Sequence, residues 1–221
     1  MPVIYGAYRS RATRNFWLAA EIGLELELRQ VWQAYRLDKP DAPDAPLNTR
    51  SREFLALSPM GAIPVLVDGD LVLTESLGIN LYLARRYGGD FGPRDEAENA
   101  LMTQWTLFAA TSMEEPGLTI QNAYTYGRAD SEGGRAEIAE MVERLGRPLR
   151  VLEGHLSRED HLVGGRFTVA DVNLAEILRY GTAHEPLLAD YPAVDEWLRA
   201  CQARPAFRQM WEKRSSEPMW L

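Results

Sequence analysis

Three short stretches bring together residue types that can do chemistry. Thr74, Glu75 and Ser76 follow an apolar run and precede a helical pattern. A polar cluster there leaves backbone N–H groups aimed beyond the strand end, which makes an anion site. The same residues can equally serve as a plain helix cap. Ile63-Pro64 stands directly before Val65-Leu66-Val67. Pro cannot donate to a sheet ladder, so Pro64 marks a special backbone position such as a cis peptide, or simply shapes a turn. Gly6 to Thr13 is a polar, basic turn that holds Tyr8, Arg9, Ser10 and Arg11. His155, His161 and His184 show no metal-ligand spacing, so no metal is expected. Cys201 is the sole cysteine, which excludes an intramolecular disulfide and a cysteine-based metal cluster.

These stretches need elements to position them. Val3-Ile4-Tyr5 reads as a strand, Thr13 to Ile22 as a helix stopped by Gly23, and Glu25 to Val31 as an edge strand. Trp32 to Asn48 carries Pro40, Pro43 and Pro46 and reads as an irregular loop. Thr49 to Leu57 suits a short helix. Val65-Leu66-Val67 and Leu71-Val72-Leu73 form a hairpin around Asp68-Gly69-Asp70. Thr74 to Tyr87 reads as a helix whose Arg85 and Arg86 suit its C-terminal dipole. The unit is β-α-β-α-β-β-α. Gly88 to Arg94 reads as a linker, so the expected division is an α/β domain over 1–87, a linker over 88–94 and an all-helical domain over 95–221.

In the helical part, Asp95 to about Asn122 has helix spacing interrupted at Glu115-Pro116-Gly117. Ser131 to Leu156 follows, with a bend expected near Gly146 and Pro148. Thr168 and Asp171 form a capping box, with Asp in place of the usual Glu, and Phe167 and Val172 are placed as its hydrophobic staple. Asn173 to Tyr180, Tyr191 to Cys201 and Pro205 to Lys213 are further helices.

The chain has 221 residues, 46% of them apolar and 25% charged, which is ordinary for a soluble globular protein. A net charge of −8 argues against nucleic acid or an anionic membrane as the main partner. No apolar run approaches the ~20 residues that span a bilayer. Met1 to Tyr5 runs straight into a strand without the pattern of a secretory leader. A reducing cytoplasm is the expected compartment.

Four segments in order carry a resemblance: Ser10-Arg11-Ala12-Thr13-Arg14, Ser58-Pro59-Met60-Gly61-Ala62-Ile63-Pro64-Val65-Leu66, Leu73-Thr74-Glu75-Ser76-Leu77-Gly78-Ile79-Asn80-Leu81-Tyr82-Leu83, and Phe167-Thr168-Val169-Ala170-Asp171. Together they resemble the cytosolic glutathione transferases, of a serine type similar to the bacterial, theta and nu classes. The resemblance implies a thioredoxin-like N-terminal domain followed by an all-α C-terminal domain. It implies an enzyme for which glutathione is the co-substrate and a small hydrophobic electrophile or peroxide the acceptor. Such detoxifying enzymes are usually cytoplasmic homodimers. A non-catalytic binding module on the same fold, or a specialised glutathione-dependent isomerase or dehalogenase, are the alternatives.

The resemblance also assigns roles. Ile63, before cis-Pro64, would offer its N–H and C=O to the cysteine backbone of glutathione in a strand-like pairing. The helix start, with Glu75 and Ser76, would hold the γ-glutamyl end, Ser76 and the N–H groups taking its carboxylate and Glu75 its ammonium. Ser10 would donate to the thiolate, with Thr13 next in line and Tyr8 and Tyr5 as competing hydroxyls; a thiol of pKa about 8.5 needs such a donor to become a nucleophile at neutral pH. Ser10 can also be a plain turn cap. Ala62 stands where the family often has Lys or Gln, and Ser58 where it has Asn, so Arg50 is the expected cation for the glycine end, with Arg52 and Lys39 behind it. Tyr8, Trp105, Phe108, Ser112, Met113 and Pro116 are the expected acceptor-pocket residues.

Overall fold

The computed structural model describes residues 1–219. The chain divides into two compact units. The first is Met1–Gly89 together with the segment from Arg204 on, and the second is Asp90–Ala203. The expected 88–94 linker thus straddles the division, but the last helix groups with the first unit and not with the helical one. Residues 220 and 221 of the expected 95–221 span lie outside the described residues.

In the first unit, β1 (Val3–Gly6) is followed by α1 (Thr13–Glu21), β2 (Glu27–Gln30), a one-turn α2 (Arg52–Leu55), β3 (Val65–Asp68), β4 (Leu71–Leu73) and α3 (Ser76–Tyr87). The sheet order is β2-β1-β3-β4. β1 and β2 run parallel, which requires the α1 crossover, and β3 pairs antiparallel with both β1 and β4. Ile4, at the centre, is fully buried, as are Val65 and Leu66 beside it. The β3–β4 hairpin turns through Gly69 (φ +61) and Asp70, where glycine supplies the positive φ that the tight loop requires. α1 ends as its sequence predicts. Gly23 takes φ +65 and the Leu24 N–H reaches back to the Ala19 carbonyl, the long bond of a Schellman motif.

The proline-rich stretch is irregular, apart from one 3-10 turn at Ala34–Arg36, but it is firmly tied. Asn48, 1% exposed, donates through Nδ2 to the carbonyls of Pro40 and Pro46, both at 2.9 Å. Its Oδ1 accepts the Arg50 N–H. A single buried amide thereby satisfies backbone that no ladder reaches.

α9 (Pro205–Ser216) joins the first unit through α1. The Glu21 carboxylate accepts from Arg204 Nε at 2.7 Å and Nη2 at 2.8 Å, and from the Trp17 indole N–H at 2.9 Å. The Trp17 ring meets Phe207 edge-on at 4.9 Å. Periodicity along α9 alone does not reveal this partner, because the pairing is set by side chains on α1.

The second unit contains α4 (Glu96–Ser112), α5 (Glu114–Thr125), α6 (Glu132–Leu156), α7 (Val169–Gly181) and α8 (Pro192–Ala203). The expected split between α4 and α5 falls at Met113, which leaves Pro116 in the first turn of α5, where its missing N–H costs nothing. Gly146 and Pro148 do not end α6, which runs through both as one 25-residue helix. α7 packs against α4, α5 and α8, and every residue in it except Arg179 is buried. A helix buried all round is a core helix, and Asp171, Asn173 and Glu176 are buried within it. Its capping box is present as expected: Asp171 Oδ2 accepts the Thr168 N–H at 2.9 Å.

Arg166 closes this unit over the chain that enters it. Its guanidinium forms a bidentate pair with Glu98, at 2.8 and 2.6 Å, and donates to the carbonyls of Asp90 and Gly92. These bonds hold the Glu98 carboxyl down at about 2 against an ordinary value of 4.5, the Arg166 bond being the largest cause and the Arg94 N–H the next. A depressed carboxylate stabilises the fold above its unfolded pKa and loses that contribution as pH falls through the folded one. Unfolding titrations should therefore show wild type losing on the order of 1–3 kcal/mol relative to Glu98→Gln between pH 5 and pH 2. Parallel curves for the two proteins across that window would contradict this account of the pair.

Candidate functional site

The β1–α1 loop presents Ser10 just ahead of α1. Its Oγ donates to the Ala7 carbonyl at 2.6 Å and accepts the Ala12 N–H at 3.0 Å. Ser10 is half-buried, so its hydroxyl is fixed in place yet within reach of a ligand. Thr13 is fully buried, and its hydroxyl donates to the Ser10 carbonyl at 3.1 Å. Thr13 therefore braces the Ser10 turn from beneath. Tyr8 stacks on Phe16, ring centroids 4.2 Å apart, with Lys213 Nζ 5.8 Å from the Tyr8 ring centre. Tyr5 lies in β1 as a half-buried strand residue.

The turn before β3 is organised by Ser58, which is fully buried. Its hydroxyl donates to the Ala62 carbonyl and accepts the Ala62 N–H, so one side chain closes the loop from both sides. Gly61 sits inside this loop at φ +61, and a β-carbon there would lie 2.7 Å from the Thr49 carbonyl oxygen. No other residue fits. The Ile63–Pro64 peptide is cis, the form that the family resemblance implied. Ladder pairing begins only at Val65. The N–H and C=O of Ile63 have no hydrogen bond among the described residues.

α3 begins at Ser76, with Glu75 at its N-cap in extended conformation and no side chain capping the helix. The Glu75 side chain is exposed. The first N–H groups of α3 are consequently open, and the nearest carboxylate is not spent on them. Ser76 is 4% exposed, and its Oγ accepts from Arg14 Nη1 at 3.1 Å. Asn15 Nδ2 bonds the Ser76 carbonyl and Asn80 Oδ1, and Asn80 Nδ2 returns to the Arg14 carbonyl. This buried network locks the start of α3 to α1. Two tyrosines do the same for the hairpin: Tyr82 and Tyr87 donate to Asp68 Oδ2 at 2.8 and 2.6 Å. The Tyr87 bond is the main reason the Asp68 carboxyl lies below its ordinary range.

Arg50 is exposed and makes a surface pair with Asp41 of the proline-rich loop, at 3.5 Å. Arg52 and Lys39 are exposed as well.

Comparison with known proteins decides the family. Residues 9–86 match the model of the glutathione S-transferase N-terminal domain and residues 99–205 that of the C-terminal domain. The chain belongs to the glutathione S-transferase family. It is 36% identical over 169 residues to glutathione S-transferase 3 of Zea mays, covering 71% of this chain and 73% of that one. Among solved structures it is similar to glutathione S-transferase III in apo form, at 31% identity and a TM-score of 0.78, with 98% of each chain covered. It is also similar to the Phanerochaete chrysosporium glutathione transferase URE2P6 in complex with oxidised glutathione, at 25% identity and a TM-score of 0.74, covering 97% of this chain and 96% of that one.

In this glutathione S-transferase, the residues expected to line the acceptor pocket fall into two groups. Trp105 and Met113 are 7% and 1% exposed, and Pro116 is buried in the first turn of α5. Trp105 packs edge-on against Phe108 at 5.4 Å and at a tilt against His155 at 5.0 Å. These three offer a ligand little surface. Phe108, Ser112 and Tyr8 are half-buried and retain some.

Sequence reasoning missed three contributors. Arg14 looks like one of several cations around Ser10, but it is buried and turned to Ser76. Arg36 and Glu217 meet across the first unit, 3.6 Å apart and almost fully buried. Their separation along the chain leaves no local pattern, and only the return of α9 to this unit brings them together.

Proposed function

We propose that this protein is a glutathione transferase that binds glutathione on the first unit, ionises its thiol at Ser10, and directs the thiolate to a small hydrophobic electrophile or peroxide. The observation that carries the reading is the open set of groups ahead of β3 and α3. Among the described residues the Ile63 N–H and C=O have no hydrogen bond, and α3 starts without a side-chain cap beside the exposed Glu75 carboxylate. A tripeptide needs that combination: a strand-like partner for its middle, and donors plus an acceptor for a zwitterionic end. Arg50, whose pair with Asp41 is solvent-exposed and weak, is free enough to turn toward the glycine carboxylate. The similarity to a transferase solved with oxidised glutathione supports the same ligand.

Thiolate chemistry follows from the Ser10 geometry. The Oγ position is set by Ala7 and Ala12, so only the hydroxyl proton must rotate to meet a sulfur. With the oxygen already in place, the turn of that proton from the Ala7 carbonyl to the sulfur is the one local change needed as charge develops. On the second unit Phe108 and Ser112 keep surface that an acceptor can meet, with Trp105, Met113 and Pro116 packed in its core, and on the first unit Tyr8 keeps some as well. Exposed Leu71 and Val72 on β4, and Leu101 and Leu107 on α4, support a homodimer. A cytoplasmic, detoxifying role fits the family and the single buried Cys201.

Calorimetric titration with glutathione, alongside conjugation of a generic aromatic halide, tests the reading. Glu75→Ala should weaken glutathione by about tenfold or more, the worth of a charge-assisted hydrogen bond. Wild-type affinity in that variant would remove Glu75 from the clamp. Glutathione bound with no turnover of halide or peroxide would favour a binding module.

A further inference from the structure

A carboxylate on the segment that follows α9 holds the loop that carries Ser10. Both oxygens of Glu217 are occupied by the β1–α1 loop. Oε1 accepts the Tyr8 N–H at 2.8 Å and Oε2 the Arg9 N–H at 2.7 Å. Gln30 Nε2 adds a bond to Oε1 at 3.2 Å, and Arg36 Nη1 stands 3.6 Å from Oε2. The Glu217 and Arg36 side chains are only 8% and 4% exposed. The segment's main chain is held as well. Arg9 Nε donates to the Glu217 carbonyl and Arg9 Nη2 to that of Ser215, while Arg36 donates to the carbonyls of Pro218 and Met219.

The consequence for Ser10 runs through one peptide plane. The Tyr8 N–H that Glu217 holds and the Ala7 C=O belong to the same peptide unit, which is planar and nearly rigid. That Ala7 carbonyl is the group that accepts the Ser10 hydroxyl at 2.6 Å. Fixing the N–H edge of the plane fixes its C=O edge, and with it the Ser10 rotamer. We infer that Glu217 is a positioning residue for Ser10, acting through the Ala7–Tyr8 peptide. This rests on Ser10 being the thiol activator.

A carboxylate near a thiolate also has a field, and the field opposes ionisation, so the two roles predict opposite signs. If Glu217 positions Ser10, removing it raises the thiol pKa of bound glutathione. If it acted only by its charge, removal would lower it. Arg36 Nη1 beside Oε2 and the Arg9 guanidinium on the Glu217 carbonyl offset that field, and the role proposed for Glu217 is the positional one.

The test uses the full chain as Glu217→Ala, Glu217→Gln and Ser10→Ala, with glutathione and an aromatic halide. The readouts are kcat, glutathione KM, melting temperature, and the thiolate ultraviolet absorbance of bound glutathione against pH. Glu217→Ala is expected to lower kcat at neutral pH by about tenfold, a modest share of what misplacement of a reacting group can cost, with glutathione KM within about twofold. Its thiol midpoint should rise by about one pH unit. Glu217→Gln keeps the volume and can accept only one of the two N–H groups, so it should move the midpoint the same way by less; it carries the test if the alanine variant does not fold. A lower melting temperature with an unmoved midpoint, or a midpoint that falls, overturns the inference. Full activity in Ser10→Ala would overturn the reading of Ser10 and the inference together. Loss of activity in Ser10→Ala with wild-type midpoints in both Glu217 variants would overturn the inference alone.

Discussion

Ser10→Ala is expected to lower kcat/KM for halide conjugation by about a hundredfold while leaving glutathione affinity nearly unchanged. That factor corresponds to about 2.7 kcal/mol of transition-state stabilisation, the worth of one oriented donor at a developing anion. The donor is oriented because the Ala7 carbonyl and the Ala12 N–H hold Oγ from opposite sides. Affinity is spared because the middle and γ-glutamyl end of glutathione are proposed to rest on Ile63 and α3, not on the loop. Steady-state kinetics with both substrates varied, paired with calorimetry, separates the two effects. A rise in Kd that matches the fall in kcat/KM would make Ser10 a binding residue only. Undiminished kcat would pass the role to Tyr8, because Thr13 is fully buried under the Ser10 turn with its hydroxyl on the Ser10 carbonyl.

Asp171→Ala should have the largest effect on stability, about 3–5 kcal/mol. Asp171 is fully buried at the start of α7, the helix around which the second unit packs. Its Oδ2 accepts the N–H and the hydroxyl of Thr168, and its Oδ1 accepts the Leu162 N–H and the Trp197 indole N–H. Alanine would strand those donors in the core, tying the loss to α7, the loop before it and α8 at once. An ordinary N-cap contributes only about 1 kcal/mol, so the excess measures the other contacts. For a chain of this size the melting temperature should fall by about 10 °C or more. Asp171→Asn should fall less, since its carbonyl oxygen can still accept. A drop in the alanine variant no larger than that of a simple cap would mean that Leu162 and Trp197 find other partners.

Much of this fold was legible because its elements are local. The β-α-β-α-β-β-α order, the Schellman stop at Gly23, the hairpin at Gly69 and the Thr168–Asp171 box each depend on residues within a few positions of one another. For Pro64 the sequence left a cis bond and a simple turn both open, because a Pro at a strand start fits either; the family resemblance implied the cis form, which is the one found. What escaped depends on distant partners. Asn48 looks like one more loop residue until its two carbonyl acceptors are in place. Ser58 looks like a loss relative to the usual Asn, yet its hydroxyl closes the turn on both sides of Ala62. α9 has the pattern of any surface helix, and its attachment to α1 is decided by Glu21 and Trp17. Helical spacing could not separate pocket from core for Trp105 and Met113, since both roles place an apolar side chain on the inner face. The buried Arg36–Glu217 pair is the extreme case, because neither residue has a neighbour in sequence that hints at the other.

The central claim is that the first unit converts bound glutathione to its thiolate through Ser10. The most direct measurement is a pH titration of the thiolate absorbance of glutathione bound to wild type and to Ser10→Ala. The expected midpoint in wild type lies at least about one unit below the free thiol value of about 8.5, with a return toward that value in Ser10→Ala. A bound thiol that titrates like the free one in wild type, or a lowered midpoint that survives in Ser10→Ala, would contradict it.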